Sequence, residues 1–167
     1  MIAPCEPGPG EAVFLFAFRR LLLVLHGAGS ILLAGASTHH TLQMRHYLRG
    51  SFARVAQEKT WAKVAAMSYV TTFAIGALLY PSYRAEVRGV YLDRYAPGYA
   101  RLFDVKEAYA SLALVVAIGL GALAMTLRPA EQKALVRVYA AMSLLVTGVV
   151  WFDIIAGILV LSVRGLG

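Results

Sequence analysis

The sequence predicts an all-α integral membrane protein, a bundle of four transmembrane helices in one domain. Of its 167 residues, 59% are hydrophobic, and the mean hydropathy is +0.66, which is more apolar than an ordinary soluble domain. The residues outside the apolar runs are too few for a separate soluble domain. Four runs reach the roughly 20 residues that a bilayer crossing needs, namely Leu21–Leu42, Trp61–Tyr80, Ala108–Leu127 and Val138–Val163.

Residues 1–20 are expected to form an irregular or interfacial leader. Met1–Glu11 contains three prolines and two glycines, residue types that interrupt regular structure. Arg19 and Arg20 follow and place charge at the membrane edge. The alternative, a signal peptide cleaved near Ser37, is disfavoured because acidic residues and a histidine lie within the segment.

The first span carries two histidines fourteen positions apart, His26 and His40. Fourteen residues advance a helix by about 21 Å and almost four turns, so both imidazoles lie on one face near opposite ends of the crossing. Histidine is costly in hydrocarbon and usually faces a bundle interior, a cofactor or a water-filled path. We therefore expect both side chains at a shared interface, with the deeper His26 as the functional one.

This H-x13-H spacing resembles the haem-binding helices of membrane b-type cytochromes and of the membrane anchor subunits of redox enzymes. The resemblance implies that His26 and His40 hold haem b between helices. The remaining histidines, His39 and His46, lie in or just after the same span. A second iron ligand would therefore come from another copy of the chain, a partner subunit or a methionine. The alternative is that the histidines are interfacial or hydrogen-bonded bundle residues.

The second span is expected to end at Tyr80-Pro81, because proline interrupts a helix. Ser82–Glu107 then forms the longest connector, an extramembrane loop rich in tyrosine, arginine and acidic residues. Tyrosine and arginine together suit a segment that lies along the membrane surface or grips a partner. The loop is expected to cap the bundle, to dock a membrane or peripheral subunit, or to cover a ligand. The partner is expected to be either such a subunit or a second copy of this chain in a homodimer.

Asp153 lies well inside the fourth span, where an ionisable carboxyl costs several kcal/mol unless it is paired, protonated or hydrated. We therefore expect it to face the bundle. Glu107 and Tyr109 lie at the start of the third span, on the same side of the membrane. The sequence predicts that Asp153, Glu107 and Tyr109 join His26 in a polar cluster for a quinone head group, a haem edge or a proton path. The alternative is a structural hydrogen bond between two helices.

The basic residues flank the spans, which is the pattern of a membrane edge and not of a nucleic-acid-binding surface. The sixteen Lys and Arg divide equally, eight to each side of the membrane. The first span has more of them after its C-terminal end than before its N-terminal end, and the positive-inside rule then predicts that both termini lie outside a cell (inner) membrane.

No catalytic motif is recognisable in the sequence, and Cys5 is the only cysteine. A single cysteine excludes an intrachain disulfide, a CxxCH haem attachment and a cysteine-ligated cluster. We expect a non-catalytic membrane subunit of a redox or electron-transfer system, which anchors a partner and holds haem b or a quinone, with no metal beyond haem iron. The alternatives are a non-redox membrane scaffold and a small proton- or ion-coupled transporter.

Overall fold

The computed structural model describes residues 15–164, and over this range the chain forms four long helices. All four are apolar enough and long enough to cross a membrane, which confirms the predicted all-α, multi-pass four-helix bundle. The long helices are α1 Arg19–Leu48, α2 Val55–Tyr83, α4 Pro97–Thr126 and α5 Lys133–Val163, and the single turn α3 is Asp93–Tyr95.

The predicted leader lies mostly outside the described residues, because the description begins at residue 15. Its last part, which was expected to lie at the membrane interface before the first crossing, is helical from Phe16 onward. A 3-10 turn at Phe16–Phe18 leads directly into α1, which already contains Arg19 and Arg20. The helix starts here because the apolar run that follows gives it a bundle to pack against.

The helices extend beyond six of the eight predicted span ends, by six residues or more at three of them. Leu42, Trp61 and Ala108 are not helix termini, since the corresponding helices end at Leu48 and begin at Val55 and Pro97. The 30 residues of α1 make a helix about 45 Å long, whereas the hydrocarbon core is about 30 Å thick. Hydropathy marks the part of a helix that lies in lipid, and the polar turns beyond it continue because they still bury side chains in the bundle.

Each long helix packs on two neighbours: α1 and α4 both contact α2 and α5. Successive helices run antiparallel, so the bundle is an up-down-up-down ring. The buried residues recur at alternating spacings of four and three, which is the 3.5-residue repeat of left-handed bundles. These seam residues are Leu33, Ser37, His40, Met44 and Tyr47 in α1, Glu58, Ala62, Ala65, Tyr69 and Thr72 in α2, Ala113, Ala117, Leu120 and Ala124 in α4, and Val136, Ala140, Ser143, Thr147 and Val150 in α5.

Small seam residues bring the helices close together. Gly121 of α4 faces Ala66 of α2, and a Cβ added to Gly121 would lie 2.9 Å from the Cβ of Ala66. That separation is shorter than van der Waals contact between carbon atoms. The α2–α4 contact therefore depends on a residue without a side chain at this position.

Two short connectors lie at one end of the bundle, which we call the connector end: residues 49–54 join α1 to α2, and residues 127–132 join α4 to α5. Gly50 ends α1 with a positive φ of 76°. The Gly50 amide donates to the Tyr47 carbonyl and the Ser51 amide to the His46 carbonyl, which is the paired pattern of a Schellman motif. The chain thus turns directly from the end of α1 into α2.

The opposite end, the hairpin end, holds the tyrosine-rich segment, and here the predicted loop is wrong. Ser82–Glu107 does connect the second and third spans, but it is helical on both sides of Ala96. Pro81 lies inside α2, which continues to Tyr83 and runs into a π-helical segment, Arg84–Leu92. A proline removes one helix hydrogen bond, and in a membrane helix neighbouring packing can compensate for that loss.

The packing that compensates for Pro81 comes from α4. The rings of Tyr80 and Tyr83 both stack on Phe103, which ties the end of α2 to its neighbour. Beyond Pro81, the buried residues Ser82, Val87 and Leu92 recur every five positions, the spacing that an i→i+5 turn brings to one face.

The chain reverses at Ala96, which is not helical. The residue before a proline disfavours the helical conformation, whereas Pro97 at the first turn of α4 sacrifices no helix hydrogen bond. Arg88 fastens the two arms of the hairpin, because its guanidinium donates to both carboxylate oxygens of Asp104, at 2.5 and 3.0 Å.

Candidate functional site

A glutamate and a histidine face each other inside the bundle near the connector end. Glu58 of α2 and His40 of α1 are each only 1% exposed, and Nε2 of His40 lies 2.7 Å from Oε1 of Glu58. Buried ionisable groups are costly unless they are paired and hydrogen-bonded. A pair at this distance can share one proton in two ways, as carboxylic acid with neutral imidazole or as carboxylate with imidazolium.

Two tyrosines complete the surroundings of the Glu58 carboxyl. The Tyr139 hydroxyl donates to Oε1 at 2.5 Å and also lies 3.1 Å from Nε2 of His40. The Tyr47 hydroxyl donates to Oε2 at 2.9 Å. Each carboxyl oxygen therefore has a phenolic donor, and such charge-assisted bonds are the stronger class of hydrogen bond.

A chain of hydroxyls continues from the other side of the imidazole. Nδ1 of His40 lies 2.7 Å from Oγ of Ser143, and Oγ1 of Thr41 lies 2.7 Å from both that oxygen and Oγ1 of Thr147. The Thr147 hydroxyl donates to the carbonyl of Ser37. Because a hydroxyl both donates and accepts, this chain connects the carboxyl to the middle of the bundle by exchangeable protons. We call the whole set the connector-end network: Tyr47, Glu58, Tyr139, His40, Ser143, Thr41 and Thr147.

The heptad repeat explains why these side chains meet. His40, Glu58 and Ser143 occupy seam positions of three different helices, where apolar residues would otherwise fill the core. Glu58 also lies in the first turn of α2, where the helix dipole favours negative charge. Fourteen residues are two heptads, so His26 and His40 occupy the same seam and both rings contact α2.

His26 lies in the hairpin half and makes a simpler contact. Its Nδ1 is 3.0 Å from the backbone carbonyl of Thr72, and within residues 15–164 its Nε2 makes no hydrogen bond. A Cβ added to Gly76 would lie 3.0 Å from the ring, so the missing side chain at Gly76 makes room for the imidazole. The sequence predicted His26 as the functional histidine, but His40 has the more extensive polar surroundings.

Asp153 lies in the same half of the bundle, on α5. Its Oδ1 is buried and, among the described residues, has no hydrogen-bond partner. Lys106 of α4 is the cation that acts on both Asp153 and His26 through space. The Lys106 side chain crosses to α5, since its Cε lies 3.7 Å from the Cβ position of Gly157, one helical turn beyond Asp153.

The predicted polar cluster is therefore brought together only in part. Asp153 and His26 share Lys106 as a neighbour, but no hydrogen bond joins them to each other within the described range. Glu107 is half-buried. The hydrogen bond described for it is to its backbone carbonyl, which accepts from the Ser111 hydroxyl. Tyr109 is 49% exposed and packs edge-on against Phe152, and it makes no described hydrogen bond to Asp153.

The histidine pair does not fit iron ligation by both rings. Nε2 of His40 is engaged by Glu58 and Tyr139, and Nδ1 by Ser143, so neither nitrogen offers a free lone pair. His26 does offer Nε2, and the bond from Nδ1 to a carbonyl is the usual support of a metal-bound imidazole. No cluster of three or more metal-ligating side chains occurs in the part of the chain that the structure describes.

Glu58 and Tyr139 were not predicted from the sequence, because both lie at the ends of apolar spans, where polar and tyrosine residues are common. Glu58 precedes the predicted start of the second span, Trp61, and Tyr139 is the second residue of the last span. The signal that could have found Glu58 is the repeat of small and hydroxylated residues that follows it at positions 62, 65, 69 and 72. Extended backwards by four residues, that repeat places Glu58 in the core.

Comparison of the chain with protein-family models, with curated proteins and with solved structures finds no match.

Proposed function

We propose that this membrane protein transfers protons, with the connector-end network as a relay and Asp153 as the acidic group of the opposite half. The observation that carries the proposal is the Glu58–His40 pair, which is buried, directly hydrogen-bonded and continued by hydroxyls on its far side. Ionisable residues inside membrane bundles commonly mark proton pathways. A pair needed only for packing would be replaceable by apolar residues.

The two nitrogens of His40 place the ring between two proton-exchanging partners. Nε2 accepts a proton from the Glu58 carboxyl as Nδ1 releases one to the Ser143 hydroxyl, which leaves the ring as its other tautomer, and the ring returns to the first tautomer before it passes the next proton. The proton then passes along the hydroxyls of Ser143, Thr41 and Thr147, each of which reorients to donate to the next. Tyr139 stabilises the Glu58 carboxylate that remains, because its hydroxyl donates to Oε1.

An apolar layer separates the two halves. Thr147 and Asp153 are six residues apart on α5, about 9 Å along the axis, and the buried residues at this level include Leu33, Ala34, Val146 and Val150. A proton crosses such a layer only with water or with a movement of the helices. The arrangement therefore supports gated transfer and not an open pore.

The two flanks of the first span support a cytoplasmic location for the connector end, although the sixteen Lys and Arg divide equally between the two ends. Five basic residues follow the span at the connector end, and only Arg19 and Arg20 precede it; the five are Arg45, Arg49, Arg54, Lys59 and Lys63. Lys and Arg in short loops are retained on the cytoplasmic side. The termini and the hairpin end then face the outside of a cell (inner) membrane, and the relay takes protons from the cytoplasm.

The transfer assay uses the full chain in lipid vesicles that contain a pH-sensitive dye, with a potassium gradient and valinomycin to set the voltage. We expect Glu58→Gln to slow proton uptake at least about tenfold, because the amide cannot exchange a proton. Glu131→Gln is the matched control, since Glu131 is 68% exposed on the second connector and should transfer at the original rate. Uptake no faster than in empty vesicles, or equal rates in the two variants, would overturn proton transfer as the function.

A membrane subunit of an electron-transfer system is the second candidate function, and the free Nε2 of His26 favours it. His26 could ligate haem b if a second copy or a partner subunit supplied the other ligand, and a quinone near Asp153 would exchange protons with the same bundle. A reduced-minus-oxidised spectrum of the purified protein tests the haem case. If haem is bound, we expect a Soret band that is lost in His26→Ala and kept in His46→Ala. Absence of the band in the original protein would show that the purified protein binds no haem.

A further inference from the structure

A depression opens in the protein surface beside the connector-end network. It has a volume of about 220 Å³, and a water molecule occupies about 30 Å³ in the liquid, so it holds several waters. It lies between the last turns of α1 and the first connector. Its walls are Gln43, His46, Tyr47, Ser51, Ala53 and Arg54.

Gln43, which lines this depression, carries a buried polar atom without a partner among the described residues. The residue is only 9% exposed, and its Nε2 lies 2.9 Å from Nε2 of His39. Its Oε1 is buried and finds no donor among the described residues. Buried carbonyl oxygens are nearly always hydrogen-bonded, so this atom calls for a donor that is small enough to enter, and water fits.

Tyr47 is the only side chain common to the depression and to the direct hydrogen bonds of Glu58, within the described residues. It is 4% exposed, and its hydroxyl donates to Oε2 of Glu58 at 2.9 Å. The ring is held by edge-on contact with Phe52, at a centroid distance of 5.4 Å. The Tyr47 side chain thus lines the depression and also donates a hydrogen bond to the buried carboxyl.

We propose that this depression is the aqueous mouth of the relay, with water bound at Gln43 and Tyr47 as the link to Glu58. The inference rests on the proposed function and names the place where the proton enters. In one concerted step the Tyr47 O–H bond breaks as an O–H bond forms on Glu58. The tyrosine oxygen takes a proton from the bound water, and bulk hydronium restores that water, so one proton moves inward and no tyrosinate accumulates.

Two variants test the mouth in the same vesicle assay. Tyr47→Phe keeps the ring and removes the hydroxyl, and we expect uptake to fall at least about tenfold. Tyr95→Phe is its control, because Tyr95 is 66% exposed at the hairpin end. The second variant, Ala53→Cys in a Cys5→Ser background, places one thiol on the wall of the depression. A bulky water-soluble maleimide on that thiol should lower uptake as well, whereas the same modification of Gln57→Cys should not.

The outcomes separate the mouth from the relay. If Tyr47→Phe or the modified Ala53→Cys transfers protons at the original rate while Glu58→Gln does not, the mouth is wrong and the relay stands. If Glu58→Gln also transfers at the original rate, the proposed function itself fails. Because the maleimide acts on the folded protein at an exposed site, its effect is independent of any change that Tyr47→Phe makes to folding.

Discussion

At the scale of single residues, Glu58 and Asp153 differ in how their carboxyl oxygens are hydrogen-bonded within the described chain. Both oxygens of Glu58 accept hydrogen bonds from tyrosines, and one of them also contacts His40. Oδ1 of Asp153 has no such partner in the described chain. Satisfied buried groups stabilise a unique core, whereas unsatisfied ones cost stability and are retained for function. The two acids should therefore respond to substitution in opposite ways.

Glu58→Ala is predicted to destabilise the bundle by about 2–4 kcal/mol, because it leaves His40 and two tyrosine hydroxyls without their shared acceptor. Denaturant or thermal unfolding in detergent measures the loss. Glu131→Ala removes an exposed carboxylate and should change stability by less than about 0.5 kcal/mol. Equal stabilities of the two variants would contradict the described network.

Asp153→Asn is predicted to slow proton uptake without lowering the midpoint of thermal unfolding. The substitution breaks no described hydrogen bond and removes the cost of burying a charge. Asp104→Asn, a change in a half-exposed carboxylate at the hairpin end, is the control for uptake. An Asp153→Asn protein that unfolds earlier yet transfers normally would assign Asp153 a purely structural role.

At the scale of elements, the sequence predicted helix type better than helix extent. Hydropathy found all four helices, but it did not show that α2 passes through Pro81 or that polar turns extend α1 and α4. Those features depend on tertiary contacts, such as the stacking of Tyr80 and Tyr83 on Phe103, which no local pattern reports. The H-x13-H spacing, by contrast, is a local pattern that did predict packing. Fourteen residues are two heptads, which keep His26 and His40 on one seam.

Gly121→Ala and Gly148→Ala should shift stability in opposite directions, although both replace a glycine within a long helix. Alanine is favoured over glycine by about 1 kcal/mol in a helix, and a Cβ on Gly148 meets nothing within 4 Å. At Gly121 the new Cβ would lie 2.9 Å from Ala66, so α2 and α4 must separate. We expect a raised unfolding midpoint for Gly148→Ala and a lowered one for Gly121→Ala; a raised midpoint for both would mean that the helices are farther apart than described.

At the scale of the whole molecule, the fold class follows from composition, but the site does not. Four apolar runs are visible without any contact information. The connector-end network instead joins residues 11 to 106 positions apart. These residues lie on different helices, and the sequence of one helix does not show which helices are its neighbours. Asp153 was found because it is conspicuous in an apolar run, and Glu58 was missed because a polar connector conceals it.

The outer surface of the bundle should face lipid along its middle. Large exposed apolar side chains at mid-helix include Met67, Leu112, Val115 and Leu145. Cysteines placed at these positions in a Cys5→Ser background should resist a water-soluble maleimide in intact membranes, whereas one at Tyr95 should react. Ready labelling across the middle of any one helix would rule out that helix as a membrane crossing.

The central claim is that Glu58 exchanges protons with the aqueous phase, and infrared difference spectroscopy of the protein in membranes tests it most directly. Spectra are compared in H2O and in D2O, because a carboxyl group that exchanges its proton with the aqueous phase changes its absorption band when deuterium replaces that proton. The relay predicts an exchange-sensitive carboxyl band that is present in the original protein and in Glu131→Gln and is missing in Glu58→Gln. A difference spectrum that is the same in all three proteins would contradict it.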